Sequence, residues 1–189
     1  VVGTVAGGLD RLPEYQNVPV AVDRLATLQA KLSYTDVRRS LGYVDDERGQ
    51  RWSAAISGEY ADGVTVPKVH GTYDYGIALP LGHSSIWSRS AAGLSPRDRN
   101  LPFANFFFGG FGNNWVDHGD EKRYRERYSF PGAELNEIGG RNFIKSGLEW
   151  NAPPWRFRRV GIPGFYVTWA RPAVFVAVLS TDLDAPEAR

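Results

Sequence analysis

Over residues 28–34 the chain alternates: Leu28, Ala30, Leu32 and Tyr34 share one side, Gln29, Lys31 and Ser33 the other. A period of two predicts a strand with unlike faces, not a helix. The pattern allows this strand to continue to residue 44, with a polar turn, "DDERGQ", at 45–50. Trp52, Ala54, Ile56, Gly58 and Tyr60 then oppose Ser53, Ala55, Ser57 and Glu59. After a second turn, "ADGVTVP", Val69, Gly71, Tyr73, Tyr75, Ile77 and Leu79 oppose His70, Thr72 and Asp74. "PLGH" predicts a tight turn into "SSIWSRSAAGLS". The alternation then stops, and residues 96–139 read as one long loop. It resumes where Ile144, Ser146, Leu148 and Trp150 oppose Lys145, Gly147 and Glu149. "NAPPWRFRRVGIPG" reads as a turn and "FYVTWARPAVFVAVLS" as a last long strand. With the opening segment this predicts about seven antiparallel strands in up-and-down order.

Two features of this pattern favour a membrane over a soluble all-β domain. Several predicted strands run to about ten residues, where soluble strands average about five or six. Trp52 and Tyr60 also close the two ends of one apolar face. At ~3.3 Å per residue and a tilt of ~40° they stand roughly 20 Å apart along the membrane normal, close to the ~25 Å apolar band of an outer-membrane barrel. On this basis Trp52, Ile56, Tyr60, Tyr73, Ile77, Leu148 and Trp150 are expected to face lipid. Glu59, His70, Asp74, Lys145 and Glu149 are expected to line a polar lumen.

Composition fits that picture and a soluble all-β domain alike. The 189 residues are 42% hydrophobic and 13% aromatic, yet mildly polar on average. Only alternate residues of a barrel strand meet lipid, which gives such a balance. A net charge of +1 argues against a nucleic-acid platform. With no cysteine there is neither a disulfide framework nor a thiolate metal site. No apolar run is long enough for a transmembrane helix. The opening "VVGTVAGG", without signal peptide or initiator methionine, reads as the middle of something, a fragment or a processed piece.

Little in the chain points to catalysis. "GHSS" at 82–85 is not a Gly-x-Ser-x-Gly elbow. "FFFGGFG" lacks the lysine and helix of a phosphate loop. Asp117, His118 and Asp120 of "DHGD" have ligand chemistry, but acidic loops commonly serve solubility alone. Neither a catalytic, a cofactor nor a metal site is expected.

Residues 130–154, "FPGAELNEIGGRNFIKSGLEWNAPP", resemble the outer-membrane barrel of the bacterial surface antigen family, the superfamily that includes BamA and TamA. There a long external loop folds back into the barrel. It carries a (Val/Ile)-Arg-Gly-(Phe/Tyr) motif, then a Gly-Gly pair, then a strand reading roughly Ser-x-Glu with a proline-containing turn. Phe130, Pro131 and Gly132 stand at the motif, Gly139 and Gly140 at the pair. Ser146, Leu148, Glu149 and Trp150 match the strand, and Pro153 and Pro154 the turn. Two positions depart from the family. Pro131 stands where the motif has arginine, and Ala177 stands where the next strand has the aspartate thought to pair with it.

The resemblance implies part of one antiparallel up-and-down transmembrane β-barrel over residues 1–189, about seven strands of about sixteen, in the bacterial outer membrane. It implies a role in inserting or secreting outer-membrane proteins, without catalysis and without a cofactor. Expected partners are the lipid bilayer, client outer-membrane proteins, and the rest of the barrel or fused periplasmic domains, with no nucleic acid. Phe106, Phe107, Phe108 and Phe111 of the long loop are expected to anchor it, either in the lumen or in the outer leaflet. The alternative is a soluble or surface-exposed antiparallel β-domain that binds a ligand in its interior.

Overall fold

The computed structural model describes residues 1–7, 23–111, 122–162 and 164–184. Seven strands form one antiparallel sheet: β1 (Val2–Gly7), β2 (Arg24–Arg38), β3 (Arg48–Ala61), β4 (Val64–Ala78), β5 (Ser85–Leu94), β8 (Asn142–Asn151) and β11 (Ala173–Thr181). They neighbour one another in chain order, and no α-helix occurs among the described residues. β6 (Phe106–Phe108) pairs with β7 (Ile138–Gly140), and β9 (Trp155–Ile162) with β10 (Phe165–Ala170). The sheet ends at β1 on one side and β11 on the other.

Register carries the alternation across the sheet. Leu32, Ala54, Gly71, Ala92 and Ile144 stand in one cross-strand row, and Tyr34, Trp52 and Tyr73 in the next. One face is therefore apolar or small-residue from β2 to β11, and it is open. Leu32, Ile56, Leu148 and Val176 are each more than half exposed. The opposite face carries Glu59, His70, Asp74, Arg89, Lys145 and Glu149, and from β3 onward it is covered by the chain between β5 and β8, whereas Gln29, Lys31 and Ser33 of β2 stay exposed. Buried aromatic residues lie on this covered side. Phe106 and Phe108 meet Phe143 of β8 at ring-centroid distances of 5.0 and 4.7 Å, with Tyr128, Phe130, Ile138 and Leu179 around them.

Several boundaries differ from the sequence reading, each for a local reason. β2 stops at Arg38, because Ser40 N–H bonds the Glu47 carboxylate and Glu47 N–H the Arg38 carbonyl, closing a loop over 39–47. The turn after β3 is Asp62–Gly63 alone, both at positive φ, which is the geometry of a two-residue hairpin turn. The segment read as a turn after residue 150 contains β9. The long last strand is two strands, β10 and β11, separated at Arg171–Pro172, where proline lacks the N–H that a ladder needs. β8–β11 and β9–β10 thus form one long hairpin interrupted by Pro153, Pro154 and Pro172.

Candidate functional site

The chain between β5 and β8 leaves one end of the sheet and folds back over its polar face. Alternation inside β6 decides which phenylalanines hold it. Phe106 and Phe108 are buried, whereas Phe107 and Phe111 point away, 40% and 53% exposed. Only two of the four phenylalanines expected to anchor the loop therefore do so. Gly109 turns the backbone where a side chain would strike the Glu134 carbonyl. Gly139 and Gly140 pair with Phe107 and Phe106, and a side chain at Gly140 would meet Thr181 at 2.7 Å. Phe130 joins the aromatic cluster. Pro131 and Gly132 are the middle of a turn closed by Ala133 N–H on the Phe130 carbonyl, with Gly132 at positive φ.

Further along, the loop lays a short 3-10 turn, Arg123–Arg125, over the charged wall of the sheet. Arg125 lies between two carboxylates. It donates to Glu149 from Nε at 2.9 Å and Nη2 at 2.5 Å, and to Asp45 from Nη2 at 2.6 Å and Nη1 at 3.3 Å. Arg89 donates to the other side, to Glu149 at 2.9 Å and to Asp74 at 2.8 Å. Lys122 reaches Asp45 at 3.0 Å and the Asn151 side-chain oxygen at 2.6 Å. Lys145 donates to the main-chain carbonyls of Glu126, Arg127 and Ser129. Tyr124 stacks flat on Phe175, centroids 4.1 Å apart. Together these contacts leave a cavity of about 160 Å³ between loop and sheet, lined among others by Arg89, Tyr124, Arg127, Lys145 and Ala177.

The electrostatics explain why so many charges tolerate burial. The Glu149 side chain is 2% exposed, so it is stable as an anion only because Arg125 and Arg89 bond both its oxygens. Burial opposes the charge of Asp45, but the Arg125 and Lys122 hydrogen bonds outweigh it and hold the carboxyl well below the usual carboxylate range. Burial pushes the Tyr124 hydroxyl up to about 12, helped by the nearby Glu149 charge.

Glu59, His70, Asp74, Lys145 and Glu149 all lie on this covered face, but they do not form one cluster. Asp74 and Glu149 share Arg89. Lys145 serves loop carbonyls, and Glu59 pairs with Lys68 at 3.4 Å. His70 is buried edge-on to Phe106. Arg125 and Asp45 are the residues sequence reasoning missed. Arg125 sits in the run "DEKRYRERY", whose charge fits water or a polar lumen wall without choosing a partner, and Asp45 in a turn. The loop residues that reach the Ala177 wall are Tyr124 to Arg127, whereas Pro131 bridges Ala133 beside Phe130.

At the same end of the sheet Ser40 Oγ lies 3.1 Å from His83 Nδ1, and Glu47 Oε1 lies 2.6 Å from the same atom. A relay needs serine and carboxylate on opposite ring nitrogens, so that one accepts while the other donates. With both on Nδ1 the group acts as a loop clasp. No cluster of three metal-ligating side chains occurs among the described residues, and Asp117, His118 and Asp120 lie outside them.

Compared with protein-family models, with curated proteins and with solved structures, the chain matches none.

Proposed function

We propose that this chain is part of an outer-membrane β-barrel of the bacterial outer membrane, similar to the surface antigen family, whose role is insertion or secretion of outer-membrane proteins without bond-breaking chemistry. One observation carries the membrane placement: the polarity of the sheet is inverted. The apolar face is open from β2 to β11, while from β3 to β11 the charged face, with its aromatic cluster, is covered by the folded loop. A soluble sheet buries its apolar face, and a contiguous exposed patch of more than a few hundred Å² marks an interaction with protein or membrane. Aromatic placement supports the same reading. Tyr34, Trp52 and Tyr73 form one row towards one end of the open face, and Tyr60 stands near the other, as in the girdles of a barrel. The runner-up, a soluble domain with an interior ligand site, leaves this face unexplained. No helix among the described residues is long and apolar enough to cross a membrane, which says nothing about strands.

Strand direction constrains the rest of the barrel. β1 and β11 are the first and seventh strands of an antiparallel series, so they run the same way. Antiparallel closure needs an odd number of further strands, beginning and ending in the opposite direction. A second copy in the same orientation would make a parallel seam at both edges. A barrel of about sixteen strands leaves an odd remainder. The assembly role rests on the resemblance of residues 130–154. Its partners are the bilayer, client outer-membrane proteins, and the strands or periplasmic domains that complete the protein.

A paired arginine substitution tests the placement. Ile56→Arg near mid-membrane is expected to destabilise the bilayer-refolded protein by ~2–4 kcal/mol, and Ser57→Arg, on the opposite face, by little. Equal losses in lipid refolding titrations would defeat the reading.

A further inference from the structure

Residues 150–181 hold four arginines and no aspartate or glutamate, in a chain whose net charge is only +1. The β9–β10 ribbon lies within this stretch. It forms its own two-stranded sheet beyond the end of β8 and β11. Most of its large apolar side chains are open. Ile162, Phe165 and Tyr166 at the tip are each 70% exposed, and Trp155 at the base is 63% exposed. Pairing orders them by polarity: Arg156 stands across from Trp169 near the base, and beyond a register shift Val160 stands across from Val167 and Ile162 from Phe165 at the tip. An isolated two-stranded ribbon is marginal in water. One with apolar residues on both faces needs a surface to lie on.

From this ribbon we infer a binding site for the anionic headgroups of a lipid bilayer. The Arg171 side chain is buried 3.9 Å from Asp45 and belongs to the base, whereas Arg156 and Arg158 of β9 have no carboxylate partner among the described residues. Such arginines are complementary to phosphate, and tryptophan, tyrosine and phenylalanine settle at the headgroup level. The ribbon is placed to reach that level. Its base is tied to the sheet end by Arg156 on the Gly42 carbonyl and by Arg171 on the Ala152 and His83 carbonyls. Pro153, Pro154 and Pro172 interrupt the pairing between ribbon and sheet, which is where the hairpin can bend. The inference rests on the membrane reading for where the bilayer lies, but the charge and aromatic pattern are the ribbon's own.

The chain has no cysteine, so single labelling sites are clean. Phe165→Cys, Ile56→Cys and Leu41→Cys would carry an environment-sensitive fluorophore in the full chain. It would be reconstituted in phosphatidylcholine vesicles with or without about 30% phosphatidylglycerol. Expected at residue 165 is a blue shift and quenching by headgroup-spin-labelled lipid in the anionic vesicles, lost in high salt. Adding Arg158→Gln should lower the docked-to-free ratio on the order of fivefold. Leu41→Cys stays aqueous throughout. A residue 165 label that stays aqueous, or that is quenched equally without anionic lipid, overturns the inference. So does shielding from both lipid quencher and aqueous iodide, which would mean a protein partner. The Ile56→Cys label reports separately on the sheet. If it contacts mid-chain quenchers while residue 165 fails, the membrane reading stands and the ribbon site falls. If it fails while residue 165 docks on anionic lipid, the ribbon binds membrane and the barrel placement falls.

Discussion

Arg125 is the residue on which loop docking depends most. It closes two carboxylates from different parts of the chain, the half-buried Asp45 in the 39–47 loop and the buried Glu149 in β8. Arg125→Ala leaves both anions without their strongest partner, and removing one member of a buried pair costs about 3–5 kcal/mol. The expected readout is protease cleavage within 122–130 under conditions where the parent resists. Arg125→Lys should recover only part of the protection, because an ammonium cannot fork to two carboxylates as a guanidinium does. Acid should mimic the loss. The folded pKa of Asp45 is depressed, against about 3.9 in an unfolded chain. Its contribution is therefore complete above about pH 4 and is lost as pH falls from there through the folded value. Loop protection followed against pH should hold at neutrality and fall below about pH 4. Asp45→Asn should be weaker at neutral pH and less acid-sensitive. Protection that rises in acid would contradict this assignment.

At the scale of elements, β6 shows how a period of two works in so short a strand. Phe108 is fully buried against Phe143 and Tyr128, while its neighbour Phe107 is largely exposed. Phe108→Ala should cost about 3–5 kcal/mol of loop or global stability, and Phe107→Ala much less. Equal costs in urea titrations would mean that the loop does not dock by this face. The main strands were legible in the sequence because each has one apolar or small face and one polar face. β3, β4 and β8 could be read residue by residue from Trp52, Ile77 and Leu148. The β10–β11 break was not read, since residues 165–179 are apolar almost throughout, although Pro172 marks it. The charged site was half legible. Asp74 and Glu149 were visible as inward carboxylates, but their partners depend on where a long loop lands, which alternation does not encode. One signal was present. An inward glutamate in the middle of a strand needs a cation, and residues 122–127 are the densest cationic run in the loop.

Across the described residues the sheet leaves its aliphatic face open and covers the face that carries both its charges and its buried aromatic cluster, with an aromatic row towards one end of the open face. The membrane placement is the central claim, because the barrel, its completion by an odd number of strands and the ribbon's lipid contact follow from it. Spin labels along β3 test it most directly. Single cysteines at Ala54, Ile56 and Gly58 probe the open face, and at Ser53, Ala55 and Ser57 the covered one. In reconstituted bilayers, the account predicts high collision with oxygen and exclusion of an aqueous nickel chelate at 54, 56 and 58, with 53, 55 and 57 out of phase. Nickel access at 54, 56 and 58 as high as at the fully exposed Leu41 would contradict it.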